Sequence, residues 1–234
     1  VQTALNTLDC GVLTLTQTNC PILKVALTSF PVWIDMIYAY EQSHPEVVLE
    51  YTVITLDELN NAPSPFPWNF FLGIIEDVDT GRFQSHKVFP PERPVVLMSV
   101  HNPLAGRSDI RLEELKDENF ISVRRENSSA HNFMMALCRQ AGFEPRKVYY
   151  GDYLMRVKLV QQNRGVNITT MVGATVNAIP LDTITAIPLS SPIMTRTQAI
   201  SWEQDKLLSD MEQTFLDFAV GYFKEYPLMD PKKL

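Results

Sequence analysis

Ile22-Leu23-Lys24-Val25-Ala26-Leu27 opens the stretch that decides the fold, with Pro21 before it and Thr28-Ser29 after it. A dense apolar run of this length, closed at both ends by turn formers, reads as a strand. From Phe30 to Ser43 the period changes, and Phe30, Trp33, Ile34, Ile37, Tyr38 and Tyr40 fall on one stripe of a helix. His44-Pro45 ends it, because the residue before a proline is pushed out of the helical region. Val47-Val48-Leu49-Glu50-Tyr51-Thr52-Val53-Ile54 then supplies a second strand rich in β-branched side chains. Strand, helix and strand in that order imply a parallel pair joined by a crossover helix.

Working outward, the N-terminal side admits two readings: Val12-Leu13-Thr14-Leu15-Thr16 alternates like a strand, while Thr3 to Leu8 could end a helix. On the C-terminal side, residues 56–61 read as a short helix, Pro63, Pro65 and Pro67 as a loop, and residues 70–75 as a buried strand. Residues 83–89 and 94–100 read as extended. After Leu112-Glu113-Glu114-Leu115 the pattern begins again, with strand 120–123, helix 130–141, strand 147–150 and helix 152–162. Strand 166–170, a short helix at 172–177, and strands 183–187 and 198–202 lead into a helix at 206–223. Its apolar stripe is Leu207, Leu208, Met211, Phe215, Phe218, Ala219 and Tyr222. Two α/β halves with no Gly/Ser linker predict a two-lobed α/β protein, each lobe a mixed, mostly parallel sheet flanked by helices. The crevice then lies at the carboxyl ends of the strands. The expected division is 22–89 plus 189–223 against 96–187.

The 234 residues carry a formal charge of −7, unevenly spread: before Arg82 the only Lys or Arg is Lys24, against ten carboxylates from Asp9 to Asp79. Such a surface repels nucleic acid, so any DNA contact has to come from another segment. At a distance through solvent these carboxylates are screened, and on this reading they pose no obstacle to an anion held in direct contact. Cys10, Cys20 and Cys138 are odd in number, with no C-x-x-C spacing and no placed histidine, which fits a reduced, cytoplasmic setting without metal or cofactor. No apolar stretch approaches the roughly 18 residues a membrane helix requires. His44, His86, His101 and His131 are scattered, and no HExxH, Gly-x-Ser-x-Gly or Walker loop is present, so a catalytic constellation is not expected. Cys138 lies on the apolar stripe Phe133, Met134, Leu137 and Ala141, as a buried structural thiol would.

The segment from Val95 to Glu144 resembles the regulatory domain of LysR-type transcription regulators, which has the type 2 periplasmic-binding-protein-like fold. The resemblance is carried by Asn102-Pro103-Leu104-Ala105, Leu112-Glu113-Glu114-Leu115, Phe120-Ile121, Ser128-Ser129 and Cys138-Arg139-Gln140-Ala141-Gly142-Phe143-Glu144-Pro145, with Leu159-Val160 and Gly165-Val166 following. It departs from the family pattern at Asn163 and Thr170, and at the proline-rich loop from Ala62 to Trp68. The resemblance implies a bacterial sensing domain that binds a small effector between its lobes and acts as a homodimer or homotetramer. Pairing would run through the first helix of each lobe, where Trp33 or Tyr38 would be exposed. DNA would be contacted only by an N-terminal winged helix-turn-helix, to which residues 1–21 would lead. A stand-alone solute-binding protein of the periplasmic type is the alternative, and an enzyme on the same fold a third reading.

Helix starts that face such a crevice bring unpaired N–H donors and partial positive charge to it. Thr28-Ser29 and Ser128-Ser129 stand at two of them, either as effector contacts or as plain N-caps. Thr55 matches a further family position and is equally a cap. Arg125, beside Arg124 at the end of a strand, either pairs with a carboxylate in the crevice or lies in solvent. Tyr150 and Tyr153 flank a strand-to-helix turn and would shape the wall, with Asp152 as the N-cap between them. An anionic effector such as a small carboxylate follows from these donors.

Overall fold

A computed structural model describes residues 20–28, 31–123, 128–176, 179–191 and 194–225. The first strand, β1, is Ile22–Leu27; it pairs in parallel with β2, Val48–Val53, and with β3, Phe70–Ile74. Helix α1, Ile34–Ser43, crosses between β1 and β2, and α2, Leu56–Asn60, precedes β3. The first sheet is completed by β4, Phe83–Lys87, and by β11, Gln198–Glu203, in the order β2-β1-β3-β11-β4. β11 runs antiparallel to both neighbours, so β1 to β4 share one sense and only the strand returning from far along the chain is reversed.

The second half repeats this device. Strands β5 (Pro94–Ser99), β6 (Ile110–Arg111), β9 (Asn167–Thr170) and β10 (Ile184–Ser191) form a sheet ordered β6-β10-β5-β9. Here β5 is the strand antiparallel to both its neighbours. Strands β7 (Phe120–Ser122) and β8 (Val148–Tyr150) pair in parallel, and Phe120 bridges to Val166 beside β9. Helices α3 (Ser129–Gln140), α4 (Tyr153–Gln161) and α5 (Met171–Val176) follow β7, β8 and β9, so their first turns lie at the carboxyl ends of parallel strands. The chain segments joining the two sheets run side by side: Glu92 and Arg196 exchange backbone hydrogen bonds of 3.0 Å each.

Alternation along β1 sends Leu23, Val25 and Leu27 to one core, with Trp33, Met36, Ile37 and Tyr40 of the first crossover and Phe215, Ala219 and Phe223 of α6 (Asp210–Lys224). Ala26 faces the other way, with Ile54, Leu59, Phe66 and Phe71. In the second half Phe133, Met134, Leu137 and Cys138 of α3 pack on Val96, Met98, Phe120 and Val166.

Several boundaries differ from expectation for local reasons. The helix expected from Phe30 begins at Ile34, after a turn at 31–33, and its N-cap position is Trp33 with no side-chain cap. Of the two aromatic residues named for exposure, Tyr38 is 61% exposed, whereas Trp33 is fully buried against Phe223 with ring centroids 5.3 Å apart. The final helix begins at Asp210 rather than 206, because Ser209 and Glu212 form a capping box there. Leu207 is therefore outside the stripe and in solvent, while Leu216 and Phe223 join the core. Among the described residues no helix is long and apolar enough to cross a membrane.

Candidate functional site

The carboxyl end of β3 runs into a single 3-10 turn, Ile75–Asp77, and the carboxyl end of β7 runs into α3. These two ends meet. Ser128 is the N-cap of α3, accepting from the His131 backbone N–H at 3.4 Å, as a plain N-cap does. Ser129, one step further, does something different: its hydroxyl donates to the Asp77 carboxylate and accepts from the Arg196 guanidinium. Arg196 also donates from Nη2 to Asp77 at 3.3 Å and from Nη1 to the Ser129 carbonyl at 3.3 Å. Its guanidinium carbon lies 4.9 Å from the centre of the Phe133 ring. The Asp77 and Arg196 side chains are only 13% and 12% exposed, so water does little to screen the pair.

Burial pushes the Asp77 carboxyl above its ordinary range, helped by the Glu76 charge and opposed by Arg196 and Ser129. Burial likewise draws the Arg196 guanidinium down against the pull of Asp77 and Glu76. Both shifts say that desolvation outweighs mutual attraction here, as it does in many buried ion pairs. The surroundings tie the crossover to both sheets. Glu76 accepts from Thr197 N–H at 2.9 Å and from its hydroxyl at 2.8 Å. Glu92 accepts from Val172 N–H at 2.8 Å, with burial raising its pKa.

The other expected site residues separate. Thr55 is consumed locally: it accepts from Glu58 N–H at 3.1 Å and donates to the Glu58 carboxylate at 2.9 Å, a complete capping box. Thr28 is half-buried beside Gly73, where a Cβ would lie 3.2 Å from its hydroxyl. Because α1 starts at Ile34, Thr28 is not its N-cap, which corrects the expected anion-binding helix start on that side. Among the described residues no hydrogen bond links Thr28 or Thr55 to Ser128 or Ser129. Ser29, Arg124 and Arg125 lie outside the described residues. Tyr150 is 37% exposed, and its ring sits 5.5 Å from that of His131, a buried side chain on α3 whose Nδ1 is 3.3 Å from Ser122 Oγ. Asp152 caps α4 through Met155 N–H at 2.9 Å. Tyr153 lines a small pocket elsewhere in the second half, with Arg156, Asn167 and Thr169.

Asp77 and Arg196 escaped the sequence reading. The acidic first half was expected to act only through solvent, yet one of its carboxylates reaches the start of α3 directly. A carboxylate just beyond the end of a fully buried strand, as Asp77 follows β3, was the available signal. Arg196 had none, because its role depends on how the two connections pair. Among the described residues no group of three or more His, Cys, Asp or Glu is arranged to hold a metal. Cys138 is fully buried, and burial pushes its thiol up to about 12, so it stays protonated at neutral pH.

With this geometry established, comparison adds kinship. A family model described as the LysR substrate binding domain matches residues 23–224. An uncharacterized HTH-type transcriptional regulator of Bacillus subtilis, YwbI, is 32% identical over 143 residues, 58% of this chain and 44% of its own length. The chain thus spans under half the length of that relative. The regulatory domain of CcmR from Synechocystis, solved in complex with 2-PG, superposes with a TM-score of 0.73 at 18% identity, covering 88% of this chain and 98% of that one. The effector-binding domain of BenM, solved with its effector benzoate, gives 0.70 at 15% identity, covering 87% and 92%. At these identities the two structures establish a shared two-lobed fold.

Proposed function

The chain belongs to the LysR substrate binding domain family, and on that premise we propose that it is the ligand-sensing part of a transcription regulator. It takes a small anionic effector between two lobes, 22–89 with 189–223 and 96–187, and changes the geometry of an oligomer. DNA is contacted by another segment, in keeping with the helix-turn-helix named for the curated relative. The matched curated relatives are transcriptional regulators, which leaves the solute-binding alternative without support.

One observation carries the effector reading: the start of α3 already holds a carboxylate, that of Asp77, through the Ser129 hydroxyl and Arg196. A place that accepts a tethered carboxylate accepts a free one of the same chemistry, provided the tethered group is displaced. Displacement frees Asp77 from α3 and so alters how the two sheets are held together, which is the differential contact a switch requires. Thr28 and Tyr150 remain candidate effector contacts in this reading. A thermal-shift screen of small carboxylates, followed by calorimetry, tests it. Ser129→Ala should weaken binding of the hit by about 1.5–3 kcal/mol, the worth of a charge-assisted hydrogen bond. Unchanged binding in Ser129→Ala and Ser128→Ala would reduce Ser128 to a cap and Ser129 to a tie to Asp77 and Arg196.

Pairing of two copies runs through α1 and α3 in this proposal, supported by the 61% exposure of Tyr38 in the middle of α1. A monomeric mass by light scattering at high protein concentration would contradict it.

A further inference from the structure

Arg196 is of use to an incoming anion only if it stays in place when Asp77 leaves it. What holds it otherwise begins with the backbone. The Arg196 N–H donates to the Glu92 carbonyl, and its own carbonyl accepts from the Glu92 N–H, both at 3.0 Å. The next residue, Thr197, is 1% exposed and is tied to the turn that carries Asp77. Its carbonyl accepts from Ile75 N–H at 2.9 Å, while its N–H donates to Glu76 Oε2 at 2.9 Å and its hydroxyl to Glu76 Oε1 at 2.8 Å. Both carboxylate oxygens of Glu76 are thus committed to the immediate neighbour of Arg196.

None of these bonds involves the Asp77 side chain. Two adjacent carboxylates on one turn therefore divide their work: Glu76 grips Thr197, and Asp77 reaches Ser129 and the guanidinium. A carboxylate that accepts two hydrogen bonds from one residue fixes that residue's orientation as well as its position. The far end of Arg196 is supported from α3, where the Phe133 ring centre lies 4.9 Å from the guanidinium carbon and the Ser129 carbonyl accepts from Nη1 at 3.3 Å. The Glu76 charge also favours the Arg196 cation.

We infer that Glu76 is a positioning residue: through Thr197 it keeps Arg196 aimed at the start of α3 whether or not Asp77 is bound there. Release of Asp77 is then a side-chain displacement within a turn that Glu76 holds in place, and the guanidinium is left preset for the carboxylate that arrives. A preset cation binds more tightly because the cost of ordering it has already been met. The value of this arrangement to an effector rests on the reading proposed above, whereas the positioning of Arg196 is a property of the unliganded protein.

The test is nitrogen-15 relaxation of the Arg196 Nε–H in the full chain without ligand. In Asp77→Ala the order parameter should stay close to the ~0.85 of rigid groups, and in Asp77→Ala with Glu76→Ala it should fall below about 0.6. Glu76→Gln, whose amide oxygen can still accept one of the two bonds, should restore part of the loss. Thr197→Val, which keeps the N–H and gives up the hydroxyl, moves Arg196 in the same direction if Glu76→Ala does not fold. Calorimetry with benzoate as the probe carries the consequence to binding: Thr197→Val should weaken it about three- to tenfold in the parent and not at all in Arg196→Gln. An Arg196 that is already mobile in Asp77→Ala, or that stays rigid in Asp77→Ala with Glu76→Ala while the melting temperature drops, would overturn the positioning role. An equal loss of benzoate binding in the Arg196→Gln background would overturn it as well. Benzoate failing to bind any variant, with Arg196 rigid in Asp77→Ala and mobile once Glu76 is removed, would support the positioning role and tell against the effector reading alone.

Discussion

Asp77 and Glu212 are both carboxylates held near the start of a helix by serine and a cation, and they behave oppositely. Burial alone would raise Glu212, which is 3% exposed, but Lys206, the Ser209 backbone N–H and hydroxyl, and the Asn69 amide together bring it down to about 2. Asp77 has Ser129 and Arg196 alone, with the Glu76 charge working against them, and its pKa is raised. Glu212 closes the capping box of α6 and ties that helix to Asn69 in the loop before β3. Asp77 occupies a set of donors without satisfying itself on them. On the proposed function, the difference separates a carboxylate that maintains the fold from one that an effector anion replaces.

The largest effect expected from this contrast is at Glu212. Its depressed pKa means that it stabilises the protein fully above its unfolded value of 4.5, and that this is lost as pH falls from 4.5 toward about 2. Glu212→Gln should therefore destabilise the protein at neutral pH by on the order of 3 kcal/mol in urea unfolding, with the gap to the parent closing across that acid window. A gap that persists below the window would trace the loss to packing rather than charge. Next in size, Ser209→Ala should cost about 1 kcal/mol of the same stability as the loss of an N-cap. The smallest effect is at Asp77. Its raised pKa means that the folded state holds the proton more tightly, so ionisation as pH rises past 3.8 adds no stability. Asp77→Asn should accordingly change unfolding stability at neutral pH by less than about 1 kcal/mol. A loss as large as that of Glu212→Gln would erase the distinction.

The alternating elements were legible in the sequence because their signals are local. The apolar runs of β1 and β3 and the stripe of α3 are read within a few residues, and the return of the pattern after Leu112 marked the second half. The start of α1 was misjudged because Trp33 fits the helical stripe, although its packing on Phe223 comes before the helix begins at Ile34. At the candidate site, the capping roles of Thr55, Ser128 and Asp152 could be read from residue type and position alone. The junction could not, since it joins Asp77, Ser129 and Arg196 from three distant stretches of chain. Its existence depends on the antiparallel pairing of the two connections at Glu92 and Arg196, which no local pattern encodes.

In the proposed switch, Asp77 acts as a built-in stand-in for the effector at the start of α3. The most direct measurement is calorimetry of the carboxylate found by screening, on the parent, Asp77→Asn and Arg196→Gln. Removal of an internal competitor should tighten binding in Asp77→Asn by about tenfold, by raising the fraction of protein ready to bind, while Arg196→Gln should weaken it. Binding to Asp77→Asn that is unchanged or weaker than in the parent would contradict the account.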